Sequence, residues 1–263
     1  MYSAKYLLDK VKEGKTLLGA HILGNDHQAT ELMGRCGIDY FWLDTEHTMI
    51  DKALLLQHLV AAQAAGIPVF VRVAKNEASL VKPLLDAGVQ GIIFPMIHDV
   101  KEAEYAVKSC YYPPAGIRGV APGRAINFGL DSFKGYMEKG CREIMTLVQI
   151  ETREAVENID DIVHIAGLDV SVIGPMDLTG AFGKMGEITD PDIVKIFRHV
   201  IERSHRAGKP VMVSTPVYDR NTIRMWKEWG VDMITAGTEY SHIVAGMKKL
   251  VSDFTEAVLS GVR

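Results

Sequence analysis

The amino-acid sequence predicts an α/β protein built as a single (β/α)8 TIM barrel over residues 1–263. Three observations carry that expectation. Apolar runs rich in β-branched residues alternate along the chain with stretches of helical spacing, the order that feeds a parallel sheet. Eight such runs can be counted. No Gly/Ser-rich or charged linker separates them, which favours strands closed on themselves over an open doubly wound sheet, the second architecture compatible with the pattern.

In order, the strands are expected at Leu17 to Leu23, Tyr40 to Glu46, Pro68 to Ala74, Gly91 to Ile97, Ile144 to Glu151, Asp169 to Gly174, Pro210 to Ser214 and Met233 to Thr238. Several are apolar at nearly every position, as strands covered on both faces should be. Gly66, Gly88, Gly208 and Gly230 each stand shortly before a strand, where a helix must stop. Ile193, Ile196, Phe197, Val200 and Ile201 share one helical stripe, opened by Asp190 as N-cap and Pro191 in the first turn. After the eighth strand, Ile243, Val244, Met247, Leu250, Val251 and Phe254 predict a long amphipathic helix. The irregular Pro- and Gly-rich stretch from Tyr111 to Gly129 lies between the fourth and fifth strands, and is expected on the top face with the loops that follow strands.

Composition narrows the function. A chain 48% hydrophobic and 24% charged buries a large core without help from disulfides or metals. Its formal net charge of −4 gives no electrostatic reason to expect nucleic acid or an anionic membrane as partner. Three dispersed cysteines, Cys36, Cys110 and Cys141, form no CxxC pair and suit the reducing cytoplasm. The lysine-interrupted N-terminus lacks the apolar core of a signal peptide, and no apolar run approaches the ~20 residues of a membrane span.

Active sites of such barrels lie at the C-terminal ends of the strands, so polar residues there carry the functional argument. The second strand ends in Asp44-Thr45-Glu46-His47, the third carries Arg72, the fifth ends in Glu151, and Asp177 follows the sixth. Alternation turns Gln149 and Glu151 inwards. A buried carboxylate there needs a cation or water, and a structural salt bridge is the competing role. Asp177 on its own would read as a helix N-cap. Together, two carboxylates without a Cys or His cluster make a hard oxygen site suited to Mg²⁺ or Mn²⁺. His47 is compatible with a general base, a metal ligand or a capped loop residue. Arg72 either pairs with Asp44 or Glu46, or offers its planar fork to a substrate carboxylate. The barrel strands supply no lysine for an imine, Lys75 belongs to a solvated loop, and no GxGxxG or Walker sequence occurs.

These features resemble the HpcH/HpaI aldolase family of class II pyruvate aldolases, along nearly the whole chain. The pieces that carry the resemblance are Asp44-Thr45-Glu46-His47, Val71-Arg72-Val73, Leu84-Leu85-Asp86-Ala87-Gly88, Tyr112-Pro113-Pro114-Ala115-Gly116-Ile117-Arg118-Gly119, Gln149-Ile150-Glu151-Thr152 and Gly174-Pro175-Met176-Asp177-Leu178. The resemblance implies a divalent metal (Mg²⁺ or Mn²⁺, with Co²⁺ as a further candidate) held by Glu151 and Asp177. It further implies Arg72 as the pyruvate-contacting cation, His47 as the catalytic histidine helped by Asp86, Gln149 as support, and the backbone of Gly174, Pro175 and Met176 as the pyruvate-carboxylate site. Met176 stands where the family usually has a small residue, and Val120-Ala121-Pro122-Gly123-Arg124-Ala125 departs from both the sugar-acid and heptanedioate branches. The implied reaction is cleavage or formation of a 4-hydroxy-2-oxoacid from pyruvate and an aldehyde, in a homo-oligomer, commonly a hexamer exchanging its last helix. Oxaloacetate decarboxylation, acyl-CoA lyase chemistry and a non-catalytic binding barrel are the alternatives.

Overall fold

The computed structural model describes residues 3–215 and 219–259. All eight expected strands form, pair in parallel in chain order, and close through β8 on β1. They are β1 (Leu17–Ile22), β2 (Tyr40–Asp44), β3 (Val69–Arg72), β4 (Gly91–Phe94), β5 (Met145–Ile150), β6 (Val170–Ile173), β7 (Val211–Thr215) and β8 (Met233–Thr238). The helices of the described residues are α1 (Tyr6–Lys12), α2 (His27–Gly34), α3 (Lys52–Ala65), α4 (Ala78–Asp86), α5 (Val100–Cys110), α6 (Phe133–Glu138), α7 (Arg153–Glu157), α8 (Ile159–Ile162), α9 (Pro175–Ala181), α10 (Pro191–Arg206), α11 (Arg220–Trp229) and α12 (Glu239–Leu259). None is long and apolar enough to cross a membrane.

Successive strand residues face opposite sides of the sheet, which sorts the apolar side chains into two cores. Tyr40, Trp42, Phe70, Ile93 and Leu147 fill the barrel interior together with Leu7 of α1. Phe41, Leu43, Val71, Phe94 and Val148 pack outwards beneath the helices. The caps follow the sequence signals: Asp190 accepts from the N–H groups of Asp192 (2.9 Å) and Ile193 (3.3 Å), and Gly66 and Gly230 close α3 and α11 in the left-handed conformation, at φ 76° and 101°, which a side chain would disfavour.

The foot of the barrel carries a repeat that the sequence does not announce. Asp39, Gln90, Asp169 and Asp232 immediately precede β2, β4, β6 and β8. Their side chains accept from the backbone N–H of the neighbouring strand at Leu18 (3.0 Å), Val69 (2.9 Å), Thr146 (2.9 Å) and Val211 (2.8 Å). Each therefore satisfies a donor where the sheet begins. Two of them also anchor α1, through Lys10 to Asp39 at 2.8 Å and Lys5 to Asp169 at 3.3 Å.

The Tyr111–Gly129 stretch is a correction to the expectation above. Helix α5, started by Asp99 accepting from Glu102 N–H at 2.9 Å, follows β4 after a short loop over residues 95–99. The Pro/Gly stretch therefore follows the helix and leads back to β5 at the foot of the barrel, away from the top face. Its bonds agree: Ile117 N–H donates to Lys108 O (2.8 Å), and Arg124 Nη1 to Ala87 O just past α4 (2.9 Å). Helix α12 departs from the usual covering helix in another way, because Ile243, Val244, Met247, Leu250, Val251 and Phe254 are each at least 50% exposed.

Candidate active site

Toward the C-terminal ends of the strands the barrel interior changes from apolar to polar. The alternation that buries Tyr40, Trp42 and Phe70 continues into Asp44 and Arg72, while β5 continues into Gln149 and, one residue past its end, Glu151. These residues sit at one end of a rigid sheet, so their side chains are held by β geometry and not by a loop.

Glu151 is buried, with 3% of its surface exposed. Its Oε1 accepts from Met96 N–H at 2.8 Å and its Oε2 from Gln149 Nε2 at 2.5 Å. Among the described residues no lysine, arginine or histidine forms an ion pair with it, so the structural salt bridge is not what holds it. Burial pushes its carboxyl up to about 7, and the charges of Asp177 and Glu46 add to that against the pull of the Met96 bond and Arg72. Two neighbours are shaped around this carboxylate. A Cβ on Gly174 would overlap Glu151 Oε2, so only glycine lets α9 begin there. Met96 is held at φ 50°, an unusual conformation for a residue with a side chain, and it is this turn of the backbone that aims its N–H at Glu151. Gln149 Oε1 is buried without a hydrogen-bond partner among the described residues.

Asp177 lies in the first turn of α9, whose N-cap is Gly174. It is the third helical residue, exposed toward the mouth, so the N-cap role does not apply. Its charge is felt by both Glu151 and Glu46. Pro175 carries no N–H, and the first turn of a helix has no internal partners for its donors, which leaves the Met176 and Asp177 N–H groups facing out of the helix end. Met176 is 46% exposed. Its Cε lies 3.6 Å from where a Cβ on Gly186 would stand, so the side chain leans over the loop after α9.

Arg72 is pinned by two acids. Its Nε and Nη2 donate to the Asp44 carboxylate at 2.9 and 2.6 Å, and Nη1 lies 3.0 Å from Glu46 Oε2. The guanidinium also stands 5.4 Å from the centre of the Trp42 ring. Pairing with Asp44 and Glu46, one of its two expected roles, is thus present. A guanidinium has five N–H donors, and these contacts leave one on each terminal nitrogen for a ligand. Burial opposes ionisation of Asp44, but the Arg72 bonds and charge hold its carboxyl below the ordinary range. Glu46 ends above its ordinary value, because burial outweighs the pull of Arg72 and His47.

His47 projects at the mouth with its side chain 67% exposed and Nε2 3.6 Å from Glu46 Oε2. Asp86 is not brought to it within the chain. It ends α4, whose C-terminus faces the foot of the barrel, and it accepts from the fully buried Arg118 at 2.7 Å. Arg118 in turn lies 4.5 Å from the Tyr112 ring centre.

Sequence reasoning passed over two further residues at this end. Met96 gave no signal, since a left-handed backbone at a non-glycine residue is not written in composition. His21 could have been found by counting alternation along β1. Its Nδ1 donates to Gly237 O (2.9 Å), so the ring is neutral when Nε2 accepts the Ser214 hydroxyl (2.8 Å). Burial depresses it to about 4.

Among the described residues no three or more His, Cys, Asp and Glu side chains gather into a metal cage. Glu151 and Asp177 are two carboxylates toward the mouth that form no ion pair with an arginine among the described residues, unlike Asp44 and Glu46, which Arg72 holds.

A family model described as HpcH/HpaI aldolase/citrate lyase matches residues 17–245. A curated relative, the 5-keto-4-deoxy-D-glucarate aldolase of Shigella boydii, is 34% identical over 227 residues, which are 86% of this chain and 87% of that protein. Among solved structures, an HpcH/HpaI aldolase/citrate lyase family protein from Burkholderia cenocepacia has a TM-score of 0.88 at 28% identity, over 95% of this chain and 99% of that one. The citrate synthase SbnG has a TM-score of 0.81 at 27% identity, over 98% and 99%. With a family model spanning most of its length, a relative above 30% identity and the same closed barrel, the chain belongs to the HpcH/HpaI aldolase/citrate lyase family.

Proposed function

We propose that the protein is a divalent-metal-dependent class II aldolase that interconverts 4-hydroxy-2-oxoacids with pyruvate and an aldehyde. The observation that carries this reading is Glu151: a buried carboxylate with no cationic partner among the described residues, aligned by Met96 and Gln149 and coupled to Asp177. Such a group fits a cation. The partnerless Gln149 Oε1 beside it adds an acceptor for a ligand's water. Glu151 and Asp177 would hold Mg²⁺, Mn²⁺ or Co²⁺, since hard carboxylate oxygens suit these ions. The ion would supply electrostatic stabilisation for negative charge developing on the substrate's 2-oxo group.

The chain's own residues account for the remaining work. The free N–H groups at the start of α9, around Gly174 to Met176, donate to the pyruvate carboxylate. Arg72, locked by Asp44 and Glu46, presents its two spare donors to the 2-oxo oxygen without reorganising, which favours the enolate formed as the bond breaks. His47, open at the mouth, takes the proton of the 4-hydroxyl. Asp86 has no part in this arrangement within one chain, where it holds Arg118 instead. The exposed apolar stripe of α12 supports a homo-oligomer, a hexamer in this reading, in which that helix is exchanged between subunits of a single-domain chain.

The test is pyruvate release from a panel of 4-hydroxy-2-oxoacids with Mg²⁺, Mn²⁺ and Co²⁺. Chelation should abolish release and metal restore it. Full activity in excess chelator, or a pyruvate adduct trapped by borohydride, would reject the proposal. The likeness to a citrate synthase makes condensation of an enolate with a different carbonyl compound the second reading, and a panel that yields no pyruvate would favour it.

A further inference from the structure

We propose that His21 is a positioning residue for the reaction: its ring, bonded to β7 and β8, sets the face of Trp42 against which the Arg72 guanidinium lies, and so keeps the donors of Arg72 aimed at the 2-oxo oxygen. This rests on the aldolase reading above and adds a residue that acts only through its neighbours.

Parallel pairing builds the stack. His21 stands opposite Trp42 in the register of β1 and β2, and Asp44, two residues further along the same face of β2, stands opposite Arg72 of β3. The ring centres of His21 and Trp42 are 5.6 Å apart with their planes inclined at 53°. The guanidinium carbon of Arg72 lies 5.4 Å from the Trp42 ring centre, within the reach of a cation–π contact. Both rings are buried.

Each member supplies what the next one lacks. Asp44 and Glu46 hold the edge of Arg72, and bonds to a planar fork lie in its plane, so they resist a swing out of that plane only weakly. An aromatic face opposes the swing. The indole that offers this face has no hydrogen bond to fix its own angle, because Trp42 Nε1 is buried without a partner among the described residues; packing sets it. His21 is the opposite case. Its Nδ1 donates to Gly237 O on β8 at 2.9 Å, and its Nε2 accepts from the Ser214 hydroxyl on β7 at 2.8 Å, so the ring cannot turn without breaking a buried bond. Burial depresses His21 to about 4, so the ring is uncharged in neutral solution and places no second positive charge near Arg72.

The experiment separates the ring from its hydrogen bonds. His21→Asn keeps a donor for Gly237 O but has no ring to set against Trp42, whereas His21→Phe keeps a ring and loses both bonds. Exchange of the pyruvate methyl protons in deuterated water with Mg²⁺ is measured for wild type, both variants, Trp42→Leu, Arg72→Lys and His21→Asn combined with Arg72→Lys. His21→Asn should lower kcat for exchange about 3- to 30-fold, the range of a desolvated cation–π contact, with pyruvate KM and Mn²⁺ affinity nearly unchanged. His21→Phe should recover most of that loss. In the Arg72→Lys background His21→Asn should cost little more, because lysine has no plane to hold and coupled residues are not additive. Trp42→Leu removes the face itself and should show at least the same fall in kcat, which keeps the test standing should His21→Asn not fold. A wild-type rate in His21→Asn or Trp42→Leu, a larger loss in His21→Phe than in His21→Asn, or an undiminished loss beside Arg72→Lys would mean that His21 only ties β1 to β7 and β8, and overturns the positioning assignment alone. No exchange by metal-loaded wild type overturns the aldolase reading, and the assignment with it.

Discussion

Replacing Gly174 by alanine is expected to damage the site without touching a titratable group. The added methyl would overlap Glu151 Oε2 and lie 3.2 Å from Gln149 Nε2 and 3.3 Å from Glu151 Cβ. Glu151 has little room to yield, because Met96 N–H holds one oxygen at 2.8 Å and Gln149 the other at 2.5 Å. Relief therefore breaks one of these charge-assisted bonds or displaces the start of α9, which carries Asp177. Losing one such bond costs about 1.5–3 kcal/mol, equivalent to about a 10- to 150-fold weaker hold on a cation. Mn²⁺ titration followed by magnetic resonance measures this directly, and Gly123→Ala, where an added methyl meets open space, is the control. Unchanged Mn²⁺ affinity in Gly174→Ala, or an equal loss in Gly123→Ala, would refute the assignment of Glu151 as a tightly held ligand.

Three further outcomes follow from the same geometry. His47→Ala should lose pyruvate release by about 10²- to 10⁴-fold, the range for a general base, with Mn²⁺ affinity nearly unchanged; a large drop in affinity would make His47 a ligand. Arg72→Lys keeps the charge but cannot reproduce the fork on Asp44, so kcat should fall by about 10²- to 10³-fold, the scale of one lost oxyanion donor, with a smaller change in KM; a kcat near wild type would leave Arg72 as a structural partner of Asp44. At the foot, Asp232 raises the His205 pKa above its ordinary value through a 2.8 Å bond. A histidine shifted upwards stabilises the fold below its unfolded pKa and loses that contribution as pH rises through its folded pKa. His205→Ala should therefore lower the melting temperature more near pH 5 than near pH 9, about 1.5 units below and 2.5 above the unperturbed histidine value; an equal loss at both would refute the linkage.

How much of this was legible in the sequence depends on whether the information is local. The strands were, because both of their faces are buried, so Val69–Val71 and Ile92–Phe94 read as unbroken apolar runs bounded by turn residues. Strand alternation also placed Gln149 and Glu151 correctly, and could have placed His21. The Tyr111–Gly129 stretch was misplaced because prolines and glycines mark a connection without saying whether a helix precedes or follows it. Asp86 shows a different limit. Its partner Arg118 lies 32 residues away, so nothing local tells a helix-terminal acid bound to a buried arginine from a solvated one. Met96 is the hardest case, since its function lies in a backbone angle and a single N–H.

The central claim is that Glu151 and Asp177 hold a metal at which pyruvate is enolised, and proton exchange tests it without knowledge of the aldehyde. Pyruvate incubated with the enzyme in deuterated water can be followed by the loss of its methyl proton signal in NMR. With Mn²⁺ or Mg²⁺ present, wild type should exchange the methyl protons, and both chelation and Glu151→Gln should stop the exchange. No exchange in the metal-loaded enzyme, or exchange that persists in excess chelator or in Glu151→Gln, would contradict the account.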